Sequence, residues 1–220
     1  MSTNPSEEQD KLDAYTLADA ARRIGVGGVV MGIKPQTRAT QFTGRALTAR
    51  VRHVPNTAVP LGDYGIGQLL DQVKAGDVVV LDVGGVRLTA MGDIVGTYLA
   101  RIGAAGAVVN GLIRDAEEID ATGLSVFALD VGISTVAGHG FIEGIGEPVW
   151  LEGIRVATGD LVAGCRGGVA VIAKEDVQAV RKVALEIRES DRKVMESLGR
   201  GEPASAVWKR HKSIPLASGG

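Results

Sequence analysis

The stretch Val78–Asp115, VVVLDVGGVRLTAMGDIVGTYLARIGAAGAVVNGLIRD, constrains the fold more than any other part of the chain. Val78–Val83 is a β-branched, nearly unbroken apolar run, the pattern of a strand covered on both faces. Gly84-Gly85 turns the chain, and a helix is expected from Thr89 or Gly92 to Ile102, followed by a short strand at Ala107–Asn110. The segment ends on the charged pair Arg114-Asp115. Strand, turn, helix and strand make an α/β unit, and a pair just beyond the second strand lies where such folds place ligands.

The remaining chain supplies layers for that unit. Residues 6–24 carry a helical pattern with Ser6 as N-cap and Gly25 as stop. Gly44–Val54 alternates like a half-exposed strand, and Gly67–Lys74 suits a short helix ending at Gly76. Glu117–Thr122 suits a helical turn. Ser125–Leu129, Val149–Val156 and Val169–Ala173 are expected strands, with a glycine-rich loop over 131–147. Glu175–Leu198 repeats apolar residues at helical spacing up to Gly199, and the tail from Glu202 is polar with a basic cluster, Lys209-Arg210-His211-Lys212. This pattern predicts a single α/β domain with a mixed sheet over residues 1–220, its core at about 12–200 and a tail at 202–220.

Composition narrows the function. Formal net charge is −2 with no long basic run, which argues against nucleic acid as a partner. One cysteine fits a reducing compartment, and neither a signal pattern nor a membrane-length apolar run is present, so a cytoplasmic location is expected. The 31 glycines are scattered among apolar runs and point to tight turns and close backbone approaches.

Three residues stand out for chemistry. Asp93 follows Gly92 at an expected helix start. Its plain role is an N-cap, but the free amides of Asp93, Ile94 and Val95 could also cradle a carboxylate. Arg114-Asp115 has a plain alternative too, a surface salt bridge. As a site, Asp115 is a hard oxygen ligand for Mg²⁺ or Mn²⁺, and Arg114 pairs with a carboxylate or a developing enolate. Gly84-Gly85 lacks the spacing of either nucleotide-binding glycine loop. His53, His139 and His211 lack metal-ligand spacing, leaving His139 of the GHG loop the one to watch. Cys165 suits a small, partly buried residue, and neither Lys34 nor Lys174 sits where a Schiff base is expected.

Asp93, twenty intervening residues and Arg114-Asp115 together resemble the mark of the RraA-like proteins. That family includes metal-dependent (class II) aldolases of 4-hydroxy-4-methyl-2-oxoglutarate and 4-carboxy-4-hydroxy-2-oxoadipate. GDVVVLDVGG, GAVVNGLIRD, FTGRALTARV at 42–51, LADA at 17–20 and the GDLVAG…GVAVI run at 159–172 extend the similarity over roughly residues 12–200. The resemblance implies a β/β/α sandwich and a homotrimer or homohexamer with sites near subunit interfaces. It implies that Asp115 binds the divalent metal and that Arg114 binds the 2-oxo acid and stabilises its enolate. Gly92, Asp93, Ile94 and Val95 would surround the pyruvyl carboxylate, with Asp93 ordering water. Glu189 is the nearest match to a glutamate that reaches a neighbouring subunit's site. The implied reaction cleaves a 4-hydroxy-2-oxo diacid to pyruvate and a second oxo acid, with oxaloacetate decarboxylation as a side activity.

Two other functions fit the same resemblance. One is a non-catalytic regulator that binds a ribonuclease, a branch that tends to lack the acid at the Asp115 position. The other is a related metal-dependent lyase or dehydratase acting on another oxo or hydroxy acid. The sequence departs from the family at Gly164–Gly168, where acids are frequent, and at Asp130-Val131-Gly132, where an arginine-glycine pair is common. Both departures bear on the far end of the substrate.

Overall fold

In the computed structural model, which describes residues 12–212, the apolar run forms β4 (Asp77–Asp82) at the middle of a mixed sheet. It runs parallel to β3 (Phe42–His53) on one side and to β6 (Gly106–Ile113) on the other, and β7 (Val126–Val131) extends the parallel set beyond β6. Alternate side chains of β4 enter different cores. Val79 and Leu81 pack on the side of the helices, and Val78 and Val80 pack on the opposite side. All four are buried, each contributing roughly 1.5–3 kcal/mol by leaving water.

Antiparallel strands complete the sheet. β11 (Leu161–Cys165) pairs with the first part of β3, β12 (Gly168–Ile172) with β11, and β1 (Gly28–Val30) with β12. β2 (Lys34–Pro35) pairs with β7 at the other edge. β5 (Thr89–Met91) lies beside the end of β6, and β8 (Gly140–Ile145) pairs with the second half of β3. β1 and β2 hold opposite ends of the strand order, yet only residues 31–33 join them. Three residues span at most about 11 Å, and a flat sheet of eight strands would be about 34 Å wide. The sheet therefore curls until its edges approach. Its concave side holds Phe42, Phe127 and a lining of valines, closed by a separate hairpin of β9 (Val149–Leu151) and β10 (Ile154–Val156).

Glycine explains how so few aromatics fill that space. The Phe42 ring meets Phe127 edge-on, centroids 5.0 Å apart, and rests against Gly164 and Gly106. A Cβ at Gly164 would stand 2.3 Å from the ring.

Helices cover the outer face in two groups. α1 (Ala14–Arg23) packs with the long α5 (Val177–Gly199) against β11 and β12. α2 (Ile66–Leu70), α3 (Asp93–Arg101) and α4 (Ala116–Ala121) cover the parallel strands. α6 (Ala204–His211) lies on α5.

Several expected boundaries move. The first helix begins after Asp13, whose carboxylate accepts from the Thr16 amide at 2.9 Å. Ser6, expected as its cap, lies outside the described residues. Thr89 belongs to strand β5, so the helix after it starts at Asp93. The loop expected over 131–147 contains β8, and the expected strand Val149–Val156 is a hairpin turning at Glu152-Gly153. Residues 161–165 form a strand that had not been expected, and part of the polar tail is helix α6.

Candidate active site

The parallel strands β4, β6 and β7 end on the same side of the sheet, and β6 delivers Arg114 and Asp115 there. The Arg114 amide donates to the Met91 carbonyl at 3.1 Å, which joins the end of β6 to the corner between β5 and α3. Asp115 then adopts φ 54°, ψ 42°, a left-handed conformation that only glycine, asparagine and aspartate visit readily. In it the chain turns at once into α4, and the Asp115 carboxylate swings back toward α3. Its Oδ2 accepts from the Asp93 amide at 3.3 Å and from Arg114 Nε at 3.1 Å.

The helix start differs from the plain expectation for Asp93. Gly92 is the N-cap, extended at φ −139° and ψ −158°, and Asp93 is the first helical residue, with no side-chain cap from either. The capping acceptor for the Asp93 amide comes from Asp115, 22 residues on. Gly92 is required by this approach: a Cβ there would stand 2.5 Å from Asp115 Oδ2 and 3.1 Å from Arg114 Nε. The amides of Ile94 and Val95 belong to the same first turn, where N–H groups have no intrahelical acceptor and the helix dipole favours an anion.

A cleft of about 220 Å³ opens beside this corner, with Gly92, Asp93, Ile94, Val95 and Arg114 in its wall. The Arg114 and Asp115 side chains are 47% and 34% exposed, accessible to a ligand without being free of the protein. The other wall contains Tyr64, Ile66, Thr135 and Ala137, which carried no recognisable signal in the sequence. Tyr64 is buried and donates to the Ala90 carbonyl at 3.0 Å; burial pushes its phenol above its usual range.

Glu189 is elsewhere. It lies on α5, which packs on α1 and α6, and its carboxylate accepts from Arg192 at 2.7 Å. Arg192 holds the Glu189 carboxyl down to about 2. The cleft of the same chain does not include it. His139 is an exposed loop residue, and Cys165 is buried at the end of β11. At the departure over Asp130-Val131-Gly132, Asp130 pairs with Arg87 at 2.7 Å, which lowers its pKa. At the departure over Gly164–Gly168, Lys34 Nζ donates to the Gly167 carbonyl at 2.8 Å.

The donor set can be tested against a metal. Among the described residues no three His, Cys, Asp or Glu side chains gather as a ligand cluster. Structural zinc takes four protein ligands. Mg²⁺ and the similarly hard Mn²⁺ need less from a protein, because Mg²⁺ keeps several waters and is held through one or two carboxylates plus substrate oxygens. Asp115 offers such a carboxylate, and the missing Cβ of Gly92 leaves room for it beside the Asp93 amide. Among the described residues no helix is long and apolar enough to cross a membrane.

Known proteins are similar to this chain in sequence or in fold. A family model described as RraA-like, Aldolase/RraA, matches residues 14–171. Protein DlpA of Legionella pneumophila is 26% identical over 204 residues, covering 91% of this chain, which spans 31% of that protein's length. A Halalkalibacterium halodurans protein, provisionally named 4-hydroxy-4-methyl-2-oxoglutarate aldolase, is 32% identical over 161 residues, 73% of each chain. The crystal structure of an uncharacterized protein from Pseudomonas syringae superposes with a TM-score of 0.79 at 23% identity, covering 91% of this chain and 94% of that one. That likeness concerns the fold alone.

Proposed function

From the premise that this chain belongs to the RraA-like family, we propose that it is a divalent-metal-dependent lyase that releases pyruvate from 4-hydroxy-2-oxo acids. Decarboxylation of oxaloacetate is the side activity, because it passes through the same pyruvate enolate. The observation that carries the proposal is the strained corner at Asp115. A left-handed aspartate is held against a helix N-terminus, beside an arginine, at the ends of parallel strands. The presence of Asp115 favours an enzyme over the ribonuclease-binding alternative.

Asp115 would hold Mg²⁺ or Mn²⁺, with Asp93 ordering its water. When bound, the metal supplies Lewis-acid polarisation of the 2-oxo group. The chain's own groups do the rest. The amides of Ile94 and Val95, at the positive end of the α3 dipole, receive the substrate carboxylate. Arg114 places a permanent cation beside the oxygen on which negative charge grows as the C3–C4 bond breaks. The Asp93 carboxylate orients the water that takes up the 4-hydroxyl proton. Arg114 is itself oriented by Asp115 through the 3.1 Å contact, so the two adjacent residues act as one unit.

A trimer or hexamer is proposed with this activity. Ile94 is 76% exposed and Ile133 is 94% exposed, apolar surface that a neighbouring protomer would cover. The activity is tested by measuring pyruvate release from 4-hydroxy-4-methyl-2-oxoglutarate and from oxaloacetate, with Mg²⁺ or Mn²⁺ and with EDTA. Metal-dependent release from at least one of them is expected. Release unaffected by EDTA, or none from either substrate, would refute the proposal.

A further inference from the structure

Two close contacts, one helical turn apart, set α3 against α4. At the first, Gly92 faces the Asp115 carboxylate, and a Cβ on Gly92 would stand 2.5 Å from Asp115 Oδ2. At the second, Gly96 faces Ile119, and a Cβ on Gly96 would stand 2.8 Å from Ile119 Cγ1 and 3.1 Å from its Cγ2. The Gly96 amide donates to the Gly92 carbonyl and the Ile119 amide to the Asp115 carbonyl, both at 3.0 Å. Each partner of the second contact therefore lies one turn beyond a partner of the first. The order is the same along both helices, so α3 and α4 run side by side away from the Asp115 corner.

Ile119 has little freedom to give way. Both crowded carbons are bonded directly to its Cβ, and an isoleucine in a helix keeps one strongly preferred rotamer. The side chain is fully buried in a close-packed core. Gly96 is buried as well, between the large residues Val95 and Leu99 on the inner side of α3. Inside a helix glycine costs backbone entropy, and alanine is the favoured small residue. Helix propensity asks for alanine at 96; the contact with Ile119 asks for glycine.

We infer that Gly96 is a positioning residue for the Asp115 corner: it fixes the separation of α3 and α4, and with it the reach of the Asp115 carboxylate to the Asp93 amide, 3.3 Å away. Asp115 is the residue from which α4 starts, so a displacement of α4 carries its carboxylate along. A Cβ at position 96 wedges the two helices apart one turn below the corner and draws Asp115 Oδ2 off the amide. Gly96 itself lies outside the wall of the cleft and acts only through Ile119. Its effect on metal binding rests on the proposed lyase reading; its effect on the Asp93 amide does not.

A second-site rescue decides the matter. Gly96→Ala is compared with Gly96→Ala/Ile119→Ala, in which both γ carbons are gone and Cβ of residue 119 stands 3.4 Å from the new methyl, an ordinary contact. Gly199→Ala, at the end of α5 where a Cβ meets nothing within 4 Å, is the control. Hydrogen exchange of the Asp93 amide is followed by NMR, Mn²⁺ binding in the presence of pyruvate by electron paramagnetic resonance, and folding by thermal unfolding. In Gly96→Ala the Asp93 amide should exchange faster and Mn²⁺ bind more weakly, each by about tenfold, and the control should change neither. Both should return to within about threefold of the unmodified protein in the double variant, although it melts below the single variant for want of the buried isoleucine. A merely structural role predicts the reverse, with site properties worsening as the melting temperature falls. Should the double variant not fold, Gly96→Ala/Ile119→Leu repeats the rescue at nearly constant volume without a β-branch. Unchanged Asp93 exchange in Gly96→Ala would overturn the inference, as would a folded double variant no better than the single one. If the unmodified protein binds no Mn²⁺ with pyruvate, the lyase reading fails, and Asp93 exchange alone still decides the role of Gly96.

Discussion

Two arginine–carboxylate pairs in this molecule look alike in a list of contacts and differ in everything else. Arg192 and Glu189 sit three residues apart on α5, 2.7 Å from each other. Helical spacing alone brings such residues together, and any solvated helix face can carry such a pair. Arg114 and Asp115 are neighbours in sequence and more loosely bonded, at 3.1 Å. Their arrangement requires Asp115 in a left-handed conformation, Gly92 without a Cβ, and an amide 22 residues away as a further donor. The shorter ion pair therefore carries less functional information than the longer one. Strain persists where surrounding structure enforces it, and such places concentrate at functional sites.

Substitutions can break this contrast. The largest effect is expected for Asp115→Ala: pyruvate release should fall about 100-fold or more, and folding stability should fall by about 1–3 kcal/mol, because alanine tolerates the left-handed conformation less well than aspartate and the cap is lost as well. Steady-state kinetics beside thermal unfolding checks both halves. Gly92→Ala should follow, with a loss of about tenfold to a hundredfold, since the new Cβ displaces the Asp115 carboxylate from the Asp93 amide. Arg114→Lys keeps the charge but not the planar fork, and about a tenfold loss in kcat is expected with a smaller change in KM.

The smallest effect is expected for Glu189→Gln, less than about twofold in turnover. A loss beyond tenfold would mean that α5 reaches the cleft of a neighbouring protomer, and the contrast would collapse. Its pH dependence has a definite sign. The folded-state pKa is depressed from 4.5 to about 2 by Arg192, so the stabilisation is present above about 4.5 and disappears as pH falls toward 2. The stability difference between the two proteins should fade over that acid window in chemical denaturation.

The same contrast explains what the sequence could disclose. The central strand was legible because burial on both faces leaves its mark on every position from Val78 to Leu81. The long helix α5 was legible through its repeat. β8 was hidden because GFIEGI is an edge segment with two glycines and half-exposed side chains, facing a bulge between Arg50 and Val51. The β9–β10 hairpin was hidden because its turn places Glu152, a residue with no turn preference, at φ 49°. That conformation is held by the Met31 and Gly32 amides, both donating to the Glu152 carboxylate at 3.0 Å, which local sequence cannot foretell. At the site, Asp93, Arg114 and Asp115 were named from strand ends and helix start. Their connection through a long-range cap, and the apolar wall of Tyr64 and Ile66, depend on tertiary contacts between segments with no shared pattern.

The central claim is that the Asp115 corner holds a divalent metal together with a 2-oxo acid. Electron paramagnetic resonance of Mn²⁺ with the full chain, in the presence of pyruvate, tests it directly. Mn²⁺ should bind the unmodified protein and bind Asp115→Ala at least about tenfold more weakly, with pyruvate tightening only the former. Equal Mn²⁺ affinity in the two proteins would contradict the assignment of Asp115.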